Sequence, residues 1–193
     1  QKTGFFVDQR ENRALLELFS KGRNVLNMFC YTGGFSFYAM RGGANIVHSV
    51  DSSAKAIDLT NKNVELNFPG DPRHNAYAED AFKYLDKMGD QYDLIILDPP
   101  AFAKHKDALR NALRGYTKLN AKALEKIKPG GILFTFSCSQ VVSKENFRNA
   151  VFTAAAQSGR SVKILHQLTQ PGDHPINIYH PEGEYLKGLV LYV

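Results

Sequence analysis

Seven short apolar or alternating runs punctuate the chain, at 24–29 (NVLNMF), 44–50 (ANIVHSV), 73–78 (RHNAYA), 92–98 (YDLIILD), 131–137 (GILFTFS), 161–168 (SVKILHQL) and 187–193 (KGLVLYV). Their length and their β-branched and aromatic content predict strands. Hydrophobic positions spaced three and four apart predict helices at 9–20, 35–41, 53–67, 80–88, 106–127 and 143–158. Strand and helix alternate through the first six runs, which predicts a parallel, doubly wound α/β sheet. No helical segment separates the last two runs, so the final strand is expected to be antiparallel and hairpin-like. The intervening stretch 169–184, TQPGDHPINIYHPEGE, is rich in Pro, Gly and His and is long enough for a site loop or a solvated crossover.

At 193 residues the chain suits one domain, 1–193, with a sizeable core. It lacks an initiator Met and opens directly into a motif-like QKTGFFVDQREN, as a catalytic domain excised from a longer chain would. A formal net charge of +5 favours a polyanionic partner. Two cysteines supply neither a disulfide framework nor a zinc ligand set, which points to no metal and to a reducing, cytoplasmic setting. No apolar run is long enough to span a membrane.

In an open α/β sheet, ligands sit beyond the carboxyl ends of the strands. The first run exits into FCYTGGFS, where Tyr31, Thr32, Gly33 and Gly34 would let backbone approach a ligand. The dinucleotide pattern G-x-G-x-x-G and the phosphate-loop pattern are both absent, which argues against NAD, FAD and NTP. The second run ends in Asp51, followed by Ser52, 17 positions past Gly34. Asp51 suits either a ribose-binding carboxylate or a helix cap. The third run ends at Glu79 and Asp80, and Asp80 could accept from an exocyclic amine. The fourth ends in LDPPAF, where Pro99 and Pro100 remove two N–H donors beside Asp98 and leave carbonyls facing a flat guest.

Taken together, TGFFVDQREN, VLNMFCYTGGFS, VDSS, LDPPAF, Lys128-Pro129-Gly130-Gly131 and TFSCS resemble the class I S-adenosylmethionine-dependent methyltransferases. More narrowly they resemble the bacterial large-subunit ribosomal RNA cytosine methyltransferases that form 5-methylcytosine. The resemblance implies a Rossmann-like, seven-stranded sheet and S-adenosylmethionine as cofactor, leaving as S-adenosylhomocysteine. It implies cofactor contacts from Gln9, Arg10, the 29–34 loop, Asp51 with Ser52, Asp80 and Asp98, and ribosomal RNA as partner. It also implies an amino-terminal PUA-type domain, absent here. The oligomeric state is left open, a homodimer included.

Carbon 5 of cytosine has no lone pair, so its methylation calls for a thiolate that first adds to carbon 6. Cys138, at the exit of the fifth run, is either that nucleophile or a small core hydrophobe. With the fourth strand between the first and the fifth, Cys138 would adjoin Asp98, while Cys30 would lie about 9–10 Å away, too far for a disulfide. Asp98 is expected to engage the cytosine N3 or amino edge, and Phe102 to pack on the base. Cytosine methyltransferases with two cysteines carry the second where this chain has Ala101. The base that takes the carbon 5 proton therefore stays unassigned.

Between Lys104 and Lys128 stand eight Lys/Arg against Asp107 and Glu125. Lys104, Lys106 and Arg110 directly follow the LDPPAF loop and are expected to meet RNA phosphate; the later members suit a solvated helix face. Two alternatives stay open: an RNA methyltransferase acting on a nitrogen such as guanine N7, and a catalytically silent RNA- or cofactor-binding module.

Overall fold

The computed structural model describes residues 5–193, so Thr3 and Gly4 of the opening motif lie outside the described residues. A 3-10 turn, Val7–Gln9, leads into α1 (Arg10–Phe19). There follow β1 (Asn24–Met28), α2 (Gly34–Arg41), β2 (Ile46–Asp51), α3 (Ala54–Asn67), β3 (His74–Ala78), α4 (Ala81–Lys87) and β4 (Leu94–Leu97). The chain continues through α5 (Leu109–Lys126), β5 (Ile132–Ser137), α6 (Lys144–Ser158), β6 (Lys163–Leu168) and β7 (Lys187–Tyr192). Helix starts follow from local chemistry: Ser53, Asp80 and Ser143 accept from backbone N–H groups three residues on, capping α3, α4 and α6. The positions from 106, expected to be helical, form a 3-10 turn (Lys106–Ala108) before α5 begins.

The strands form one seven-stranded sheet in the order β3-β2-β1-β4-β5-β7-β6. The doubly wound, mostly parallel sheet with an antiparallel last strand is thus as the alternation predicted, and β4 lies between β1 and β5. β7 is not an edge strand, however. It slots between β5 and β6, antiparallel to both, and the long 169–186 segment joins the end of β6 to the start of β7 beside it, with Leu168 paired to Gly188.

Side chains of one strand alternate between faces. Leu26, Met28, Ile95, Leu97 and Leu133 pack with Tyr84, Tyr116, Leu119 and Phe147 of α4, α5 and α6. Val25, Val47, Leu94, Ile96, Phe134 and Phe136 pack with Leu16, Phe35, Ala39 and Val64 of α1, α2 and α3. β4 and β5 are buried along their whole length, as strands covered on both faces must be.

Gly188 fixes the approach of β7 to β5. It pairs with Phe136, and a Cβ built on it would stand 2.6 Å from that fully buried ring. Gly188→Ala is therefore expected to cost about 1–3 kcal/mol of stability, the range for overpacking a tight interior, measured by urea denaturation. An unchanged midpoint would mean that the Phe136 ring can move aside.

Candidate active site

The β1 exit is tied to the neighbouring strand tip. Phe29 and Tyr31 have φ of 59° and 51°, and Gly33, at 87°, is the cap residue before α2. A Cβ on Gly33 would sit 2.7 Å from the Phe37 ring and 2.9 Å from Thr60. Left-handed backbone at non-glycine residues costs of the order of 1–3 kcal/mol and collects at ligand-binding loops. Asp51 holds this loop: its carboxylate accepts from Tyr31 N at 3.0 Å and Ser53 N at 2.9 Å. Thr60 donates to the Tyr31 carbonyl, and Asn63 to that of Thr32, which is buried. The cap of α3 is Ser53 rather than Asp51, and Ser52 is exposed beside them. Asp80 caps α4 at the end of β3. The carboxylates of Asp51 and Asp80 and the glycine-lined backbone suit a ligand bearing hydroxyls and amines. Cys30 lies under this loop, buried, 3.9 Å from the Thr60 hydroxyl. Burial, with Asp51 adding to it, pushes its thiol up to about 12, which makes it inert.

The tips of β4 and β5 converge next to that loop. Leu97 pairs with Thr135, which brings the residues following each strand together. The Cys138 thiol points at the Pro99 carbonyl, 3.9 Å away. Its flanking serines are occupied: Ser137 donates to the Tyr116 hydroxyl at 2.9 Å and Ser139 to the Ala103 carbonyl at 2.6 Å. Cys138 alone of the three is partly exposed. Burial pushes its thiol up to about 11, and Asp98 and Asp8 push the same way, while Lys187 pulls it down. Gln9 is buried, accepts from Asn12 at 2.7 Å and donates to Asp98 at 3.2 Å. Burial pushes the Asp98 carboxyl up to about 7, with Asp8 adding to it and Gln9 and Arg13 opposing. A carboxyl poised there can hold or give a proton at neutral pH.

Other expected residues stand at varying distance from this cluster. Arg10 is half-exposed and pairs with Asp173 of the 169–186 segment at 2.8 Å. Pro99 is buried and Pro100 exposed. The Phe102 ring lies on Tyr116, centroids 4.6 Å apart, and against Gly115, so one face is already used by α5. Lys104, Lys106 and Arg110 are exposed. Farther along α5, Lys118 lies over the Phe82 ring and Lys122 pairs with Asp86, so that part of the basic stripe is engaged with α4.

Sequence reasoning missed a group brought in by the chain's ends. Asp8 is buried and accepts from the Tyr185 hydroxyl at 2.6 Å; that hydroxyl lies 3.2 Å from His174 Nε2. Lys187, 4% exposed, donates to the Ser139 carbonyl at 2.5 Å. The available signals were a lysine opening an otherwise apolar strand, and a histidine in the loop already singled out as a site loop.

Comparison with known proteins gives a consistent result. Residues 1–186 match the family model described as S-adenosylmethionine-dependent methyltransferase. A ribosomal RNA large subunit methyltransferase I from Aeromonas hydrophila is 46% identical over 193 residues, covering 98% of this chain and 49% of that protein. The chain thus spans about half the length of the curated relatives it matches. A SAM-dependent methyltransferase from Streptococcus mutans superposes with a TM-score of 0.86 at 27% identity, over 98% of this chain and 50% of that one. A further methyltransferase structure, complexed with SAH, has a TM-score of 0.86 at 28% identity, with the same two coverages.

The Asp98 carboxyl gives a pH signature. Its folded value, about 7, lies above the ordinary carboxyl value, so between about pH 4 and 7 the native state binds more protons than the unfolded one. Stability on this account is present at low pH and falls as pH rises through that window. Asp98→Asn cannot ionise and escapes the loss. The variant is expected to gain stability over wild type at about pH 8 and not at about pH 4, in urea denaturation at both. An equal difference at the two pH values would mean that Asp98 titrates as an ordinary carboxyl.

Proposed function

Since the chain belongs to the S-adenosylmethionine-dependent methyltransferase family, we propose that it transfers a methyl group to carbon 5 of a cytosine in large-subunit ribosomal RNA, with Cys138 as the nucleophile. The observation that carries this reading is the pairing at the two strand tips: a partly exposed thiol beside a carboxyl whose proton is in play at neutral pH. Methylation at a nitrogen, which already offers a lone pair, has no use for that thiol. The similarity to ribosomal RNA large subunit methyltransferase I supports the substrate class.

In this reading Gln9, Arg10, Tyr31 to Gly34, Asp51, Ser52 and Asp80 hold the cofactor, with Asp98 at its edge. When bound, S-adenosylmethionine supplies an electrophilic methyl on a sulfonium. Cys138, as thiolate, adds to carbon 6 of the cytosine, and Asp98 in its protonated form hydrogen-bonds or protonates N3, which makes carbon 5 electron-rich. Once carbon 5 carries the methyl, its proton leaves to a base, the carbon 5–carbon 6 double bond returns and the carbon–sulfur bond breaks. Pro99, Pro100 and the open face of Phe102 confine the base, and Lys104, Lys106 and Arg110 meet the flanking phosphates.

Two measurements test the proposal on the full-length protein. Cys138→Ala should abolish 5-methylcytidine formation on ribosomal RNA from cells lacking the gene, read by nucleoside mass spectrometry. A methylated nucleoside formed equally by wild type and variant would replace this reading with nitrogen methylation. Replacing Lys104, Lys106 and Arg110 by alanine should reduce the slope of log affinity against log salt by about 2, at about 0.7 per lost phosphate contact on single strands. An unchanged slope would remove these residues from the RNA path.

A further inference from the structure

The covalent role of Cys138 leaves one buried cation without a function. Lys187 opens β7 and pairs in antiparallel register with Ser137, the residue before Cys138. Its ammonium donates to the carbonyl of Ser139, the residue after it. Lys187 thus meets both neighbours of the sulfur-bearing residue, Ser137 through strand pairing and Ser139 through its ammonium. Three N–H donors are available to a lysine, and the Ser139 carbonyl takes one. Among the described residues Lys187 makes no ion pair within 4.0 Å; Glu184, the acid nearest in sequence, pairs with Lys144. A buried charge without a counter-ion is costly, and the residue between its two partners here carries a thiol.

We propose that Lys187 is the counter-cation of the Cys138 thiolate, held in the wall of the site to stabilise the sulfur anion both when it attacks carbon 6 and when it leaves. The inference rests on the covalent reading of Cys138. Lys187 acts through the sulfur and is a positioning residue in that sense. The thiol proton departs to solvent and Lys187 keeps its own three. The sulfur lone pair forms the carbon–sulfur bond, and after methyl transfer and loss of the carbon 5 proton that pair returns to sulfur facing the same ammonium.

The surroundings agree in sign. Burial pulls Lys187 down to about 8 and Lys144 adds to this, while Cys138 and Glu184 favour the charged form. An ammonium with that value still predominates at neutral pH. Acting on the sulfur, Asp98 and Asp8 oppose the thiolate, while a backbone hydrogen bond at Cys138 and Lys187 favour it, and of these two only Lys187 carries a charge. Without Lys187 the two acids would face the thiolate with no positive charge to offset them. The competing account is a strut that merely ties β7 to the turn after β5.

The test is the rate of iodoacetamide alkylation at Cys138 against pH, located by peptide mass spectrometry on the full-length protein. Lys187→Gln keeps a donor for the Ser139 carbonyl and removes the charge; Lys187→Arg keeps the charge. Below about pH 8, where the ammonium predominates, the rate is expected to fall about tenfold or more in Lys187→Gln and to stay near the wild type in Lys187→Arg. The difference between wild type and Lys187→Gln should shrink as pH rises above about 8, where Lys187 gives up its charge. Coincident profiles for wild type and Lys187→Gln overturn the proposal. If the glutamine variant does not fold, Lys187→Met is read in its place, and a profile coincident with the wild type overturns the proposal as well. Loss of 5-methylcytidine in Cys138→Ala, measured in parallel, separates the two levels: if methylation survives there, the covalent reading fails, whatever the alkylation profile.

Discussion

β5 lies parallel to β4 on one side and antiparallel to β7 on the other, and the site depends on that pairing. The parallel partner brings Asp98 to the edge where Cys138 emerges, because both strands run the same way and β5 ends only two residues beyond the level of β4. The antiparallel partner does the opposite: it brings the beginning of a strand, Lys187, to where β5 ends. Acid, thiol and amine therefore meet from three different strands. The register is held by packing as tight as that of Gly188 against Phe136, so a shift of one residue would turn Lys187 to the other face.

Removal from water then acts on these groups in opposite directions. It raises the carboxyl and the thiol and lowers the amine. From ordinary values of 3.8, 9.0 and 10.5 the three move to about 7, 11 and 8. The carboxyl and the amine end about a unit apart, so both can change protonation near neutral pH, whereas the thiol needs a nearby positive charge to ionise. Cys30 illustrates the contrast. It is equally a cysteine at a strand exit, but burial and the Asp51 carboxylate outweigh the hydrogen bonds, that to Thr60 included, which favour a thiolate there.

The positive surface shows the same division of labour. On α5 the cations nearest the LDPPAF loop are exposed, whereas Lys118 and Lys122 are drawn onto Phe82 and Asp86 of α4. A stripe that is uniform along the sequence is thus split by what packs beside it. The carboxyl half braces two helices and the amino half faces solvent beside the site.

The strand and helix pattern, the parallel order of the first five strands and the residues that stand at the β1, β2 and β4 exits could all be read from the chain, because each depends on residues close together in sequence. NVLNMF followed by TGG, or LDPP after an apolar run, carries its own local explanation. Even the position of Cys138 beside Asp98 follows once β4 is set between β1 and β5. The insertion of β7 between β5 and β6 could not be read in that way, nor could the meeting of Asp8, Tyr185 and His174, which are drawn from opposite ends of the chain. The sequence by itself determined which residues can carry a charge or a nucleophile and which strands they terminate. Only the tertiary structure decided which of them lose water together, since desolvation depends on what lies within a few ångströms in space, and Lys187 comes within reach of Cys138 only when the last strand folds back beside the fifth.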